Sequence, residues 1–153
     1  MSRKAPTDRI VSQVTPAAAT TNWTQAAHKL FRVTGEVRVK SCFGVVSTAL
    51  TGASTLELGV AGNTACLIAQ ISAAATNLNA VNDVWIGRGT ATYARYSGEE
   101  DGGAVILSGT GETGDIDIDL KVGAANVTAG RITFYIVYTP ISGDGNIAAA
   151  IWD

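Results

Sequence analysis

The chain contains few of the residues on which catalysis, disulfide scaffolds and nucleic-acid binding depend. Its 153 residues include one histidine, and charged residues make up 16%, against about a quarter in an average soluble protein. The formal net charge is −2, and the basic residues form no concentrated face, so broad nucleic-acid binding is disfavoured. GxSxG, HExxH, CxxC and P-loop signatures are absent. We therefore expect neither enzymatic activity nor a cofactor.

The sequence also shows no pattern typical of a targeting segment or a membrane-spanning segment. The opening residues, MSRKAPTD, are not followed by the apolar core of a signal peptide, and no apolar run approaches the roughly 20 residues of a membrane helix. Cys42 and Cys66 are too few for a disulfide-dependent scaffold, which leaves one structural disulfide or two buried free thiols. We expect a protein that is made in a cytoplasm and that binds no membrane.

Alternation of apolar and polar residues is the main feature that is present. In residues 115–122 every second residue is apolar and charges fill most of the rest, the period of a strand with one face in water. Residues 131–138 repeat the apolar stripe, but Tyr135 and Val137 make the opposite face apolar as well. That strand is predicted to lie deep in a sheet or to meet another subunit. We expect the two strands to pair antiparallel across residues 123–130.

The whole pattern predicts an all-β, single-domain antiparallel β-sandwich that is jelly-roll-like. Roughly nine or ten short strands recur at the spacing typical of sandwiches, and no interval suits regular crossover helices. Residues 10–153 form the predicted domain, preceded by a flexible arm, residues 1–9. Further strands are predicted at residues 10–14, 30–50 with a bend or bulge at Gly35, 55–60, 84–86, 92–96 and 104–107. The remaining predictions are a loop at residues 17–22, one helical turn at 23–29, and strand or helix at 64–75.

Two apparent motifs have non-catalytic explanations. Residues 109–114, GTGETG, match the dinucleotide-binding letters GxGxxG, but that motif requires its glycines to open a helix that holds a pyrophosphate. Here they run into the strand after Asp115, so a hairpin loop is predicted. His28 has no orienting carboxylate, nucleophile or metal ligand beside it in the sequence. A structural role is favoured over general-base or metal chemistry.

Asp115, Asp117 and Asp119 project from one face of the predicted strand, about 6–7 Å apart at each step. Three carboxylates are suitable ligands for Ca²⁺, but such a site needs six to eight oxygens that converge from several segments. The alternative is an outward face paired with Arg or Lys of a neighbouring strand. Acid–base work would need burial that shifts a pKa, which an exposed strand lacks. We predict no metal site and no catalytic residue.

The two ends of the chain are the predicted partner-binding segments. The arm carries Arg3, Lys4 and Arg9 and is either disordered or laid on a neighbouring subunit. The apolar tail, which includes Ile151 and Trp152, is expected to pack on its own core or on a partner.

Four stretches resemble small β-rich virion proteins of tailed bacteriophages. They are LFRVTGEV at residues 30–37, LELGVAGNT at 56–64, NDVW at 82–85 and ITFYIVYTPISGDG at 132–145. The resemblance extends over about residues 28–147 and consists of the overall residue pattern and short stretches of similar sequence. It implies a jelly-roll or related sandwich that decorates a capsid as a trimeric cement protein, bound to the major capsid protein and to its own copies on the virion surface. It transfers no individual functional residue, because such proteins work through whole surfaces.

Two other functional classes are compatible with the sequence. A receptor-binding or tail-fibre tip would engage host glycans through exposed aromatic residues, with Trp23, Tyr93 and Tyr96 as the candidates. Aromatic residues in half-buried strands are also typical of cores and interfaces. A small hydrolase built on a sandwich is the third class.

Overall fold

Two antiparallel β-sheets make up the computed structural model, which describes residues 6–72, 78–86, 105–109 and 115–153. Within those ranges, ten strands and one four-residue helix follow one another. They are β1 Arg9–Val14, α1 Ala18–Thr21, β2 Ala27–Thr34, β3 Glu36–Thr51, β4 Thr55–Val60, β5 Asn63–Ser72, β6 Val84–Ile86, β7 Val105–Ser108, β8 Ile116–Gly123, β9 Ala129–Pro140 and β10 Asn146–Ala149. None of the described helices has the length and apolarity to span a membrane.

The first sheet has the strand order β1-β9-β3-β6, and β7 also pairs with β3. The second sheet has the order β10-β2-β8-β4-β5. Each described pairing is antiparallel. The predicted all-β antiparallel sandwich is therefore confirmed.

The core lies between the sheets and consists of alternate residues from both. Ile116, Ile118, Leu120 and Val122 of β8 are buried, as are Ile132, Phe134, Ile136 and Tyr138 of β9. Both stripes fall on the alternate positions that the sequence pattern selected. Burial of apolar surface is the dominant stabilising contribution in such a core.

The predicted pairing of β8 with β9 is wrong. β8 pairs with β2 and β4 in the second sheet, whereas β9 pairs with β1 and β3 in the first. The connection after Gly123 crosses from one sheet to the other, with Ala124 at φ 62°. A strand with one buried face has the same period whether its successor lies beside it or across the core, so alternation alone does not distinguish the two arrangements.

Gly35 lies at a second crossing between the sheets, which confirms the predicted bend. It separates β2 of the second sheet from β3 of the first and has φ +60°. A Cβ here would lie 2.5 Å from Asp144 Oδ1 and 2.6 Å from Ser142 Oγ. Positive φ and lack of space together favour glycine.

The hairpin predicted at residues 109–114 is also wrong, because its flanking strands β7 and β8 belong to different sheets. Gly109 instead donates its backbone N–H to the carbonyl oxygen of Gly35, 2.8 Å away. Residues 110–114 lie outside the described ranges.

Several local predictions around Trp23 need correction. The segment predicted as loop contains α1, and the segment predicted as a helical turn contains a β-bridge between Trp23 and Val127 and then the start of β2. The indole N–H of Trp23 donates to the carbonyl oxygen of Pro16 at 3.1 Å, so tertiary packing overrides weak local preference. The ambiguous segment is strand as far as Ser72. The strand predicted at residues 92–96 lies outside the described ranges.

Candidate functional site

The outer side of the first sheet presents an unusually apolar surface. Register pairs Ser12 with Tyr135, Tyr135 with Phe43, and Phe43 with Ile86, so these side chains form one row across four strands. Equivalent rows run beside it, and we call their apolar members together the apolar face. The apolar face consists of Ile10, Val14, Phe43, Val45, Val84, Ile86, Tyr135 and Val137.

Four members of the apolar face are strongly exposed to solvent. The exposed fractions are 67% for Ile10 and 65% for Ile86, with Val14 and Val84 close to half exposed. At the centre of the face, Phe43 and Tyr135 stack with ring centroids 5.2 Å apart. The outer side of an antiparallel sheet is ordinarily polar, and a contiguous apolar patch typically marks an interaction site.

The outer side of the second sheet has the polar character expected of a solvated surface. Arg32 Nε donates to Asp117 Oδ1 at 2.9 Å across the β2–β8 pair. Glu57 accepts from Thr64 Oγ1 at 2.6 Å and lies opposite Lys121 in the register of β4 with β8. The two outer surfaces of the sandwich therefore differ in chemistry.

The charged residues reinforce this difference. The strands of the first sheet carry four basic residues, Arg9, Arg38, Lys40 and Arg131, and one acidic residue, Glu36. The strands of the second sheet carry three of each sign, namely Lys29, Arg32, Lys121, Glu57, Asp117 and Asp119. The first sheet is thus apolar at its centre and net basic.

Among the described residues, the row of aspartates forms an ion pair at Asp117. Its partner is Arg32 of the neighbouring strand β2, which agrees with the predicted pairing to an Arg or Lys of a neighbouring strand. Asp119 is partly buried, and its Oδ1 has no hydrogen-bond partner among the described residues. Burial, and then repulsion from Asp117, raises the pKa of Asp119. In the described part of the chain no three His, Cys, Asp or Glu side chains converge in a way that would hold a metal ion.

Three of the five predicted partner-binding residues, Arg9, Ile151 and Trp152, are described by the structure, and their environments differ. Arg9 begins β1, and Asp8 before it binds Lys40 Nζ at 2.9 Å and Thr139 Oγ1 at 2.6 Å. Arg3 and Lys4 lie outside the described ranges. At the other end, Ile151 is 89% exposed. The partner-binding role of these residues stays a prediction.

Trp152 packs against the core of its own chain. Its ring stacks on His28, with centroids 4.5 Å apart and planes 6° apart, and lies 5.4 Å from Trp23. The neighbouring Asp153 accepts a hydrogen bond from Lys29 Nζ at 2.7 Å. His28 itself is buried among these groups, with both ring nitrogens bound to main-chain oxygens.

Among the aromatic residues proposed for glycan contact, Trp23 is fully buried. Tyr93 and Tyr96 lie outside the described ranges. The two cysteines are buried free thiols. Burial raises the pKa of Cys66 to about 11 and that of Cys42 further, so neither is a nucleophile at neutral pH.

Sequence reasoning identified two members of the apolar face, Tyr135 and Val137, and missed the others as a group. Val84 and Ile86 alternate around buried Trp85, and Ile10 and Val14 around β1 positions that face inward. This alternation can be read from the sequence. Only the strand register, however, shows that the outward-facing residues of different strands lie next to one another.

Comparison of the chain with protein-family models, with curated proteins and with solved structures gave no match.

Proposed function

We propose that this protein is a bacteriophage virion structural protein that decorates the outside of the capsid and stabilises it. The observation that carries the proposal is the apolar face, a contiguous exposed apolar surface on one side of a sandwich whose other side is polar. The resemblance of four sequence stretches to phage virion proteins supplies the biological setting. In this proposal the apolar face is the surface that meets the major capsid protein.

The size of the apolar face favours attachment to a repeating array. Three outward positions along β9 and four strands across make a grid of roughly 400 Å², from the spacings of a β-sheet, and eight of the eleven described positions in that grid belong to the apolar face. A standard stable interface buries about 800 Å² on each partner, so the apolar face alone supports a weak contact. Weak contacts become strong when several copies or several segments bind one shell together.

Charge complementarity defines the kind of shell surface that fits. The strands around the apolar face carry four basic residues against one acidic residue, and of the four Lys40 is already paired with Asp8. An apolar patch with an acidic rim on the capsid protein would match both features, because opposite charges steer encounter and fix orientation. The other side of the sandwich, with its balanced charges, would face solvent.

Stabilisation follows from mass action. A protein that binds only the assembled shell adds its binding free energy to that state and raises the temperature at which the shell comes apart. No bond is made or broken in this mechanism.

The test uses expanded shells of the phage that encodes the chain. Wild-type protein should co-sediment with the shells and raise their melting temperature. Ile86→Asp should weaken binding about tenfold or more, since a side chain that is buried on docking contributes about 1.5–3 kcal/mol. The control is Ala148→Asp, an exposed position on β10 of the second sheet, which should bind like wild type. Failure of wild type to bind shells, or binding to host cells or polysaccharide instead, would overturn the proposal.

A further inference from the structure

The first strand, β1, lies at the edge of its sheet and has a regular free side. It begins the order β1-β9-β3-β6, so in the described part of the chain it pairs with β9 alone. Its register with β9 runs from Arg9 to Val14 without a shift, and residues 10–14 contain no charge and no proline. Native proteins usually guard an edge strand by short length, bulges, charges or proline.

The other edge strands in the described ranges have such protection. β6, β7 and β10 are only three or four residues long. β5 is longer, but its register with β4 shifts twice. Among the described edges, β1 is therefore the one best suited to accept a further strand.

The backbone groups of β1 that point away from β9 belong to Ile10, Ser12 and Val14. In an antiparallel pair, alternate residues direct both their N–H and their C=O to the same neighbour. Thr15 continues the register and donates its N–H to the carbonyl oxygen of Ile132 at 2.9 Å, which assigns the odd-numbered residues to β9. In the described part of the chain, no backbone hydrogen bond from outside the strand ladder reaches the three even-numbered residues.

We propose that two copies of this chain pair their β1 strands antiparallel about a twofold axis through Ser12. In this register Ser12 lies opposite the partner's Ser12, and Ile10 lies opposite the partner's Val14. The facing residues direct N–H and C=O at each other, so each pair exchanges two backbone hydrogen bonds. The side chains of Ile10 and Val14, which are 67% and 49% exposed in one copy, cover each other across the pair.

A second copy suits this edge in charge and in symmetry. Arg9 is the one charged residue of β1, and the proposed register places it opposite the partner's Thr15. The two Arg9 residues are then about 20 Å apart at the rise of a strand, well beyond the Debye length of about 8 Å in physiological salt. A twofold axis also closes the contact, because it leaves no free β1 edge for a third copy.

The pairing leaves both apolar faces on the same side, since the twofold axis is perpendicular to the joined sheet. It goes beyond the proposed attachment to shells and does not depend on it. β1 has six residues, so the contact is smaller than a standard interface of about 800 Å² on each partner. The dimer should therefore be weak, and its test must detect a weak contact.

The experiment follows the full chain without shells, so its outcome is separate from that of shell binding. Ser12→Cys should form a disulfide-linked dimer under mild oxidation, because facing residues of a hydrogen-bonded pair have Cα atoms about 5.5 Å apart, within the range of a disulfide. The control is Ala148→Cys, at an exposed position on β10. The Ser12 variant should cross-link at least about tenfold faster, whereas equal rates would overturn the proposal.

Hydrogen exchange tests the register in the wild-type chain. Protection of the Ile10, Ser12 and Val14 amides should rise with protein concentration up to about 1 mM, while the odd-numbered amides of β1 stay protected throughout. No rise at the even-numbered amides would overturn the proposal, as would a trimer as the associated species in sedimentation equilibrium.

Two substitutions at the axis should abolish this rise in protection. Ser12→Pro removes an N–H that β9 does not use, so the fold should tolerate it. If Ser12→Pro does not fold, Ser12→Lys gives the same test, because it places like charges opposite each other across the axis. Concentration-dependent protection of the Ile10 and Val14 amides that persists in the folded variant would contradict pairing through this edge.

Discussion

Phe134 and Tyr135 are neighbours in β9 whose rings lie on opposite sides of the first sheet. Phe134 is fully buried and meets Trp85 edge to face at 5.9 Å, whereas Tyr135 stacks on Phe43 on the outer side. The ring of Phe134 therefore belongs to the core and the ring of Tyr135 to the apolar face. Substitution of Phe134 should affect the stability of the fold, and substitution of Tyr135 the proposed attachment to shells.

This separation predicts opposite results for two substitutions. Phe134→Ala should lower the free energy of unfolding by about 3–5 kcal/mol, because it leaves a cavity in the core. Tyr135→Ser should cost far less stability and should instead weaken shell attachment. Urea denaturation measures the first effect and co-sedimentation the second. Equal losses of stability in the two variants would contradict the assignment of the two faces.

Gly44 is predicted to be intolerant of even one added carbon. A Cβ at this position would lie 2.9 Å from Ile132 Cγ2 and 2.9 Å from Phe134 Cε1, so Gly44→Ala should destabilise the fold by about 1–3 kcal/mol through overpacking. The matched control is Gly143→Ala, where no atom lies within 4 Å of the added carbon. Thermal unfolding measures the stability of both variants. A Gly44→Ala variant as stable as wild type would contradict the packing described for this part of the core.

Asp119 should make stability depend on pH. Burial raises its folded pKa above the ordinary 3.8, so the folded state holds its proton more tightly than the unfolded chain does. This contribution to stability is full at pH below 3.8 and is lost as pH rises through the folded pKa. Asp119→Asn should therefore gain stability relative to wild type between pH 4 and pH 7.

Urea titrations at several pH values measure that difference. Asp117→Asn is a second variant, in which the pH dependence of stability should weaken but persist, because the repulsion from Asp117 is removed while the burial of Asp119 remains. A difference between Asp119→Asn and wild type that stays constant from pH 4 to pH 7 would contradict the account of Asp119.

The N-terminal arm is predicted to serve attachment and not folding. Asp8 binds Lys40 and Thr139, and Arg9 begins β1, so the cut is best made before Asp8. Deletion of residues 1–7 should leave the circular dichroism spectrum and melting temperature of the chain unchanged while weakening shell binding. Shell binding equal to that of the full chain would remove the arm from the mechanism.

The sequence predicted the fold class and most strands because alternation records which residues face the core. The stripe on β8 and the bend at Gly35 are examples. It did not predict that β8 and β9 belong to different sheets, since the period of a strand reveals its buried face but not which strand lies beside it. The strand pairings that position Phe43 beside Tyr135 are likewise long-range.

The candidate site was predictable only in part for the same reason. Tyr135 and Val137 were recognised because they are apolar residues on the side of their strand opposite the core-facing stripe. Ile10 and Ile86 come from distant parts of the chain, and only their register with β9 and β3 places them on the same surface. The contact of His28 with Asp153 could not be predicted from the sequence, because it joins residues 125 positions apart.

The most direct test of the central claim is an electron cryo-microscopy map of the decorated particle. The account predicts density for the sandwich on the outside of the shell, with the apolar face against the capsid protein and the ion pair of Arg32 with Asp117 on the solvent side. A map in which the second sheet contacts the shell, or in which the particle surface lacks this protein, would contradict it.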